Sequence, residues 1–180
     1  MTDTLKIALA QLNPIVGDIV GNVELLRQAR AEAATAGADL VITSELLVSG
    51  YPPEDLVLRP IVQDTVAREI AALAAETSDG GPAVLVGTPW VDDGKLYNAA
   101  LLLEGGEIAA MRFKRDLPNY GVFDEKRVFH TGPLPGPVNF RGVRLGVMVC
   151  EDMWTDEVAE CLEESGAEIL LVPNGSPFEW

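Results

Sequence analysis

Three polar residues stand at the carboxyl ends of apolar runs: Glu45 after Leu40-Val41-Ile42-Thr43, Lys114 after Ile108–Phe113, and Cys150 after Arg144–Val149. Open α/β sheets gather their reacting groups at the carboxyl ends of strands. A carboxylate, an ammonium and a thiol brought to one rim can carry out acyl transfer without histidine. The thiol becomes a strong nucleophile once its proton is removed, and a neighbouring cation favours the thiolate. A glutamate in an apolar pocket has its pKa raised and can act first as base, then as acid. The lysine can stabilise a developing oxyanion, together with the backbone N–H of the residue after the cysteine. Taken singly, each residue also has a structural reading. Cys150 can be a small buried hydrophobe, Glu45 a surface carboxylate or helix cap, and Lys114 a solvated strand end.

These positions depend on the elements that precede them. Residues 5–11 read as a strand stopped by Asn13-Pro14. Asn22 is placed to cap a helix running to about Ala36, with Gly37 ending it. Residues 40–43 form a short buried strand, Pro52-Pro53 breaks the chain, and a second helix spans roughly 60–77. Residues 83–91 and 96–103 pair through an Asp92-Asp93-Gly94 turn, and Glu104-Gly105-Gly106 turns again into 107–114. After a loop come the strand leading to Cys150, a helix near 155–165 and a last strand at 168–172. The order β-α-β-α-β-β-β-loop-β-α-β predicts an α/β chain of the α+β type, a mixed sheet with helices on one face. The segment Asn174–Trp180 follows a strand with no closing helix, so the chain reads as a truncated domain.

Composition narrows the function classes. The 180 residues suffice for one domain with a real core. With 48% hydrophobic and 23% charged residues, the chain reads as an ordinary globular one. A net charge of −15 argues against a nucleic-acid partner. No apolar run approaches the roughly 20 residues needed to span a bilayer, and no membrane association is expected. The opening MTDTLKIALAQL reads as a strand rather than a basic, apolar leader. Two cysteines in such a chain predict reduced thiols and a cytoplasmic setting. The single histidine, His130, lies in a Gly/Pro-rich loop and leaves no multi-histidine metal site, so no metal is expected. Neither a Walker loop nor a GxGxxG after a strand is present. Cys161, on the helix EVAECLEESG, reads as structural.

The segments SELLVSGYPPEDL (44–56), FKRDLPNYGVFDEKRVF (113–129) and GVMVCEDMW (146–154) resemble the three signature blocks of the nitrilase, or carbon–nitrogen hydrolase, superfamily. Within it they are most similar to the glutamine amidotransferase domain of glutamine-dependent NAD synthetases. GYPPEDL, LPNYGVFDEKRVF and the opening KIALAQLNPIVGDIVGN carry that narrower likeness.

The resemblance implies an α-β-β-α sandwich, of which residues 1–180 would be about the first two thirds. It implies Glu45 as general base, Lys114 as oxyanion-stabilising cation and Cys150 as nucleophile. Glu125 matches a second glutamate often found beside the lysine. Tyr51, Tyr120 and Glu151 match residues that hold glutamine, Trp154 is placed to wall the pocket, and Ser176 matches a substrate-contacting serine. The implied substrate is L-glutamine, and the ammonia released passes to a synthetase domain. No cofactor is expected for the glutaminase step. ATP and magnesium belong to the synthetase domain, whose SGGxDS motif this chain does not contain. A homo-oligomer is expected from the same likeness. Two other readings stay open: a stand-alone amidase acting on another small amide, and a catalytically idle interaction module of the same fold.

Overall fold

A computed structural model describes residues 4–176. Its elements are β1 (Ile7–Ala10), α1 (Ile19–Thr35), β2 (Leu40–Thr43), α2 (Pro60–Glu76), β3 (Ala83–Asp92), β4 (Lys95–Glu104), β5 (Glu107–Phe113), β6 (Val138–Phe140), β7 (Val143–Val147), α3 (Asp156–Glu164) and β8 (Ile169–Leu171). The segment Pro177–Trp180, part of the run that suggested truncation, lies outside the described residues.

β2 is buried at all four of its positions, so it requires cover on both faces. That requirement divides the molecule into layers. β1 to β5 form one sheet in sequence order, parallel from β1 to β3 and antiparallel from β3 to β5. One face of it, carrying Val41, Val84, Val86 and Leu101, packs on Val23 and Leu26 of α1 and on Val66, Ile70 and Leu73 of α2. The opposite face, carrying Leu40, Ile42, Leu85 and Leu102, packs on Phe140, Leu145 and Val147 of a second sheet. That sheet has the order β6-β7-β8, with β6–β7 antiparallel and β7–β8 parallel. α3 covers its far side by setting Val158 and Leu162 against Met148.

The architecture is the four-layer α-β-β-α sandwich. A single mixed sheet with helices on one face is therefore corrected to two sheets packed face to face. The physical reason is the hairpin at Arg141-Gly142, where φ is 49° and 87°, which starts a new ladder after the long loop. β6 falls in what sequence periodicity leaves as loop, because three residues are too few to show alternation.

Helix α1 also begins earlier than expected. Asp18 is its N-cap, accepting from the Gly21 N–H at 3.0 Å. Asn22 instead lies buried within the first turn. It accepts the Ile15 N–H at 2.8 Å and donates to the carbonyls of Ile15 and Val48 at 2.8 and 3.1 Å. It thereby ties the chain entering α1 to the turn beyond β2. Among the described residues, no helix is long and apolar enough to cross a membrane.

Candidate active site

The turn after β2 carries Glu45 inward because β3 lets it pass close by. The Gly87 N–H donates to Thr43 Oγ1 at 3.0 Å, and Gly87 O accepts the Val48 N–H at 3.2 Å. A Cβ on Gly87 would stand 2.7 Å from Leu46 N and still closer to Ser44 O, so only glycine lets the two backbones meet. Lys114 follows β5 directly. Its N–H donates to Asn98 O at 2.8 Å, and its carbonyl accepts the Gly132 N–H at 2.9 Å. Cys150 follows β7 from the second sheet, and its N–H donates to Pro173 O at 3.0 Å. Its φ of 45° is left-handed, a strained corner that costs a non-glycine residue about 1–3 kcal/mol. A sharp strand-to-turn corner is a recurring way to present a nucleophile.

These side chains meet between the sheets. Lys114 is fully buried; its Nζ donates to Glu45 Oε1 at 2.7 Å and to Glu125 Oε1 at 2.9 Å. Asn98 Nδ2 donates to Glu45 Oε1 at 2.8 Å and to Glu125 Oε2 at 3.3 Å. The Tyr51 hydroxyl donates to Glu125 Oε1 at 3.0 Å. Glu45 Oε2 and Asn98 Oδ1 are buried without a hydrogen-bond partner among the described residues. The Gly175 backbone closes over that bare carboxylate oxygen: a Cβ there would lie 2.8 Å from Oε2.

Electrostatics separates the roles open to these groups. Burial pushes the Lys114 ammonium down, but Glu45 and Glu125 outweigh it and the net direction is up, so the lysine stays charged. Burial raises Glu125 above the usual carboxylate range, with Lys114 opposing and Glu45 reinforcing. Tyr51 is pushed well up, by burial first and then by the two glutamates. The Cys150 thiol is pushed up to about 11, by burial first and by the facing Glu45 second. Burial and the facing carboxylate outweigh the neighbouring cation, so the thiol is on balance less acidic than usual. Lys114 does lower it, but that ammonium is already committed to two carboxylates. A thiol of this kind needs a base beside it rather than a cation.

The expected site residues divide accordingly. Glu45, Lys114, Cys150, Glu125 and Tyr51 share one cluster. Tyr120 and Glu151 pair at its exposed rim, where the tyrosine hydroxyl lies 3.0 and 2.9 Å from the two carboxylate oxygens. Phe123 stands between the two tyrosines, with ring centroids 5.4 Å from Tyr120 and 6.4 Å from Tyr51. Two expected residues are not brought in. Trp154 is 69% exposed, and the exposed Ser176 donates to Asn174 within its own loop at 3.1 Å. Cys161 lies on α3 with its thiol on Pro135 O at 3.6 Å, and the exposed His130 hydrogen-bonds Leu96.

Two polar residues of this region escape sequence reasoning. Asn98 looks like an ordinary strand residue in Tyr97-Asn98-Ala99, although a polar side chain amid apolar neighbours signals a buried network. Asp152 looks like part of a polar turn. In the structure it is buried; its Oδ1 accepts the N–H groups of Arg115 and Asp116 at 3.0 and 2.8 Å, and its Oδ2 accepts the Val149 N–H at 2.9 Å. One carboxylate thus joins the turn of Cys150 to the segment after Lys114.

Comparison with known proteins agrees with this fold. Residues 6–180 match the carbon-nitrogen hydrolase family. The glutamine-dependent NAD(+) synthetase of Rhodobacter capsulatus is 46% identical over 178 residues, which cover 99% of this chain and 32% of that protein. The chain thus spans about a third of the length of the curated relatives it matches. The solved glutamine-dependent NAD+ synthetase of Acinetobacter baumannii, in complex with ADP, superposes with a TM-score of 0.92 at 36% identity, covering 97% of this chain and 33% of that one. An amidase from Nesterenkonia sp. AN1, in a variant whose active-site cysteine carries the product of Michael addition of acrylamide, gives a TM-score of 0.81 at 28% identity. That match covers 95% of this chain and 67% of the amidase. The chain belongs to the carbon–nitrogen hydrolase family.

Proposed function

We propose that this carbon–nitrogen hydrolase chain is the glutaminase part of a glutamine-dependent NAD synthetase. The observation that carries the reading is the meeting of Cys150, on its left-handed corner, with the buried Glu45–Lys114–Glu125 cluster. The identity of 46% along 99% of the chain to one such synthetase, against 28% to an amidase, supports glutamine over another small amide.

The geometry supports the following chemistry. Glu45 takes the thiol proton as Cys150 Sγ attacks the side-chain carbonyl carbon of glutamine. Among the described residues Lys114 spends two of its three N–H groups on the glutamates, which leaves the third for the developing oxyanion; the Glu151 backbone N–H is the second donor in this reading. Collapse of the tetrahedral adduct breaks the C–N bond. The proton held by Glu45 passes to the departing nitrogen, and ammonia leaves a γ-glutamyl thioester on Cys150. Glu45 then deprotonates a water molecule that attacks the thioester; glutamate departs and the thiol recovers its proton. At the rim, Glu151 and Tyr120 offer a carboxylate and a hydroxyl to the α-ammonium group of the substrate.

In this reading the glutaminase step uses no cofactor, and residues 1–180 form part of a nitrilase-like domain. The ammonia is consumed where ATP and Mg²⁺ act, in a synthetase portion of the parent protein. The 180 residues contain no segment of the SGGxDS type. A cytoplasmic homo-oligomer is part of the same proposal.

The test uses the full-length protein and an electrophilic glutamine analogue. The analogue labels Cys150, spares Cys161, and blocks glutamine-driven but not ammonia-driven NAD formation. Labelling that excess glutamine does not slow, or loss of both activities together, would overturn the assignment in favour of an amidase with another substrate or an idle fold.

A further inference from the structure

Two features of the cluster are left over once the catalytic roles are assigned. One is the unequal treatment of the two oxygens of Glu45. The other is Asn98, fully buried on β4 and used by no step above.

Glu45 Oε1 is saturated, receiving Lys114 Nζ at 2.7 Å and Asn98 Nδ2 at 2.8 Å, while Oε2 receives nothing among the described residues. A buried carboxylate oxygen without a donor is costly to leave so, and such groups gather where a protein keeps them for a reaction. Oε2 is the oxygen nearest the Gly175 backbone, whose N–H also acts on the Cys150 thiol. The bare oxygen therefore lies on the thiol side. The orientation of the Asn98 amide is fixed by the same surroundings. Its NH₂ group faces Glu45 and Glu125 together, and the opposite orientation would set a carbonyl oxygen against two carboxylates.

We propose that Asn98 is a positioning residue that locks Glu45 through Oε1 and so reserves Oε2 as the atom that takes the proton from Cys150. Lys114 alone cannot do this. A single point charge attracts either oxygen, whereas an amide held by the β4 backbone supplies a second, directional contact to one of them. Asn98 also bridges Glu45 to Glu125, offsetting the repulsion of two carboxylates that share one ammonium.

The inference rests on the glutaminase reading, and its test separates the two. In the full-length protein, Cys150→Ala tests the reading: glutamine hydrolysis that survives it removes both claims. With hydrolysis abolished by Cys150→Ala, the measurement moves to Asn98→Leu, which keeps the side-chain volume but removes the donor. The expected result is a kcat for glutamine hydrolysis lowered roughly 100-fold, the scale of a misplaced general base, with KM within about threefold. Asn98→Ala carries the same expectations and serves if the leucine variant does not fold. A folded Asn98 variant whose kcat falls less than about threefold, or whose loss falls on KM with kcat unchanged, overturns the proposal, because a misplaced base lowers kcat and not substrate binding.

Discussion

Replacing Glu45 by glutamine is expected to make the Cys150 thiol easier to ionise while abolishing its use. The thiol is raised from an ordinary 9.0 to about 11, by burial first and by the Glu45 charge second. The difference corresponds to about 3 kcal/mol against the thiolate, and it leaves roughly one thiol in 10⁴ ionised at neutral pH. Ultraviolet thiolate absorbance reads this directly. In a Cys161→Ser background, the difference spectrum against the Cys150→Ser, Cys161→Ser chain reports Cys150 alone. The midpoint is expected near 11 in that background and lower in Glu45→Gln. Lys114→Met moves it the other way, because the ammonium is one of the groups that favour the thiolate.

The same shift gives a stability dependence with a definite sign. The unfolded thiol ionises near 9.0, so alkaline pH stabilises the unfolded chain before the folded one. The contribution of Cys150 is complete below 9.0 and is lost as pH rises toward about 11. Cys150→Ser removes that part of the slope in chemical denaturation. A midpoint at or below 9.0 in the Cys161→Ser chain, or an upward move in Glu45→Gln, would refute the picture of a thiol governed by burial and a facing carboxylate. Lys114 would then be the controlling charge.

Other perturbations test the scaffold. Gly87→Ala forces a methyl group into the backbone of Ser44 and Leu46, neither of which can yield cheaply. A loss of about 1–3 kcal/mol in urea unfolding is expected, with glutamine turnover falling further because Glu45 rides on the displaced turn. Gly136→Ala is the control: its Cβ meets nothing within 4 Å, and a change under about 0.5 kcal/mol is expected. Asp152→Ala strips the acceptor from the Val149, Arg115 and Asp116 N–H groups, and urea unfolding is expected to show a cost of about 3 kcal/mol or more. Asp152→Asn keeps one acceptor oxygen, and its loss is expected to be smaller than that of the alanine variant in the same assay.

Sequence alone placed Glu45, Lys114 and Cys150 at strand ends, and the rule behind that placement concerns a single sheet: heads at the carboxyl ends of neighbouring strands share a rim. The residues meet for a different reason. β2 and β5 are separated by β3 and β4, and Cys150 comes from the facing sheet. The convergence requires the turn after β2 to cross β3 at Gly87, and it requires Asp152 to fasten one sheet to the other. Neither is visible as periodicity. A glycine in a strand states only that some backbone approaches closely, without naming which, and an aspartate in a polar turn looks solvated until a second layer buries it. Helix spans were legible because their apolar faces repeat, as Val66, Ile70 and Leu73 do in α2. The start of α1 was not, since Asp18 and Asn22 are both good caps and only the contacts of Asn22 with Ile15 and Val48 decide between them.

Burial also changes the balance of charges within the trio. A lysine beside a cysteine suggests an activated thiolate when each residue is considered as a pair in water. Enclosed between two sheets, the same lysine must first neutralise two glutamates, since an unpaired buried carboxylate costs more than an unactivated thiol. Sequence shows Glu125 eleven residues after Lys114 but not that it returns to the same ammonium. Once it does, Cys150 is left protonated at rest, and in the proposed reaction its activation falls to Glu45 Oε2, a carboxylate oxygen without a partner among the described residues. In the proposed reaction such a thiol ionises as the substrate arrives to accept its electrons, so that no free thiolate is exposed to other electrophiles.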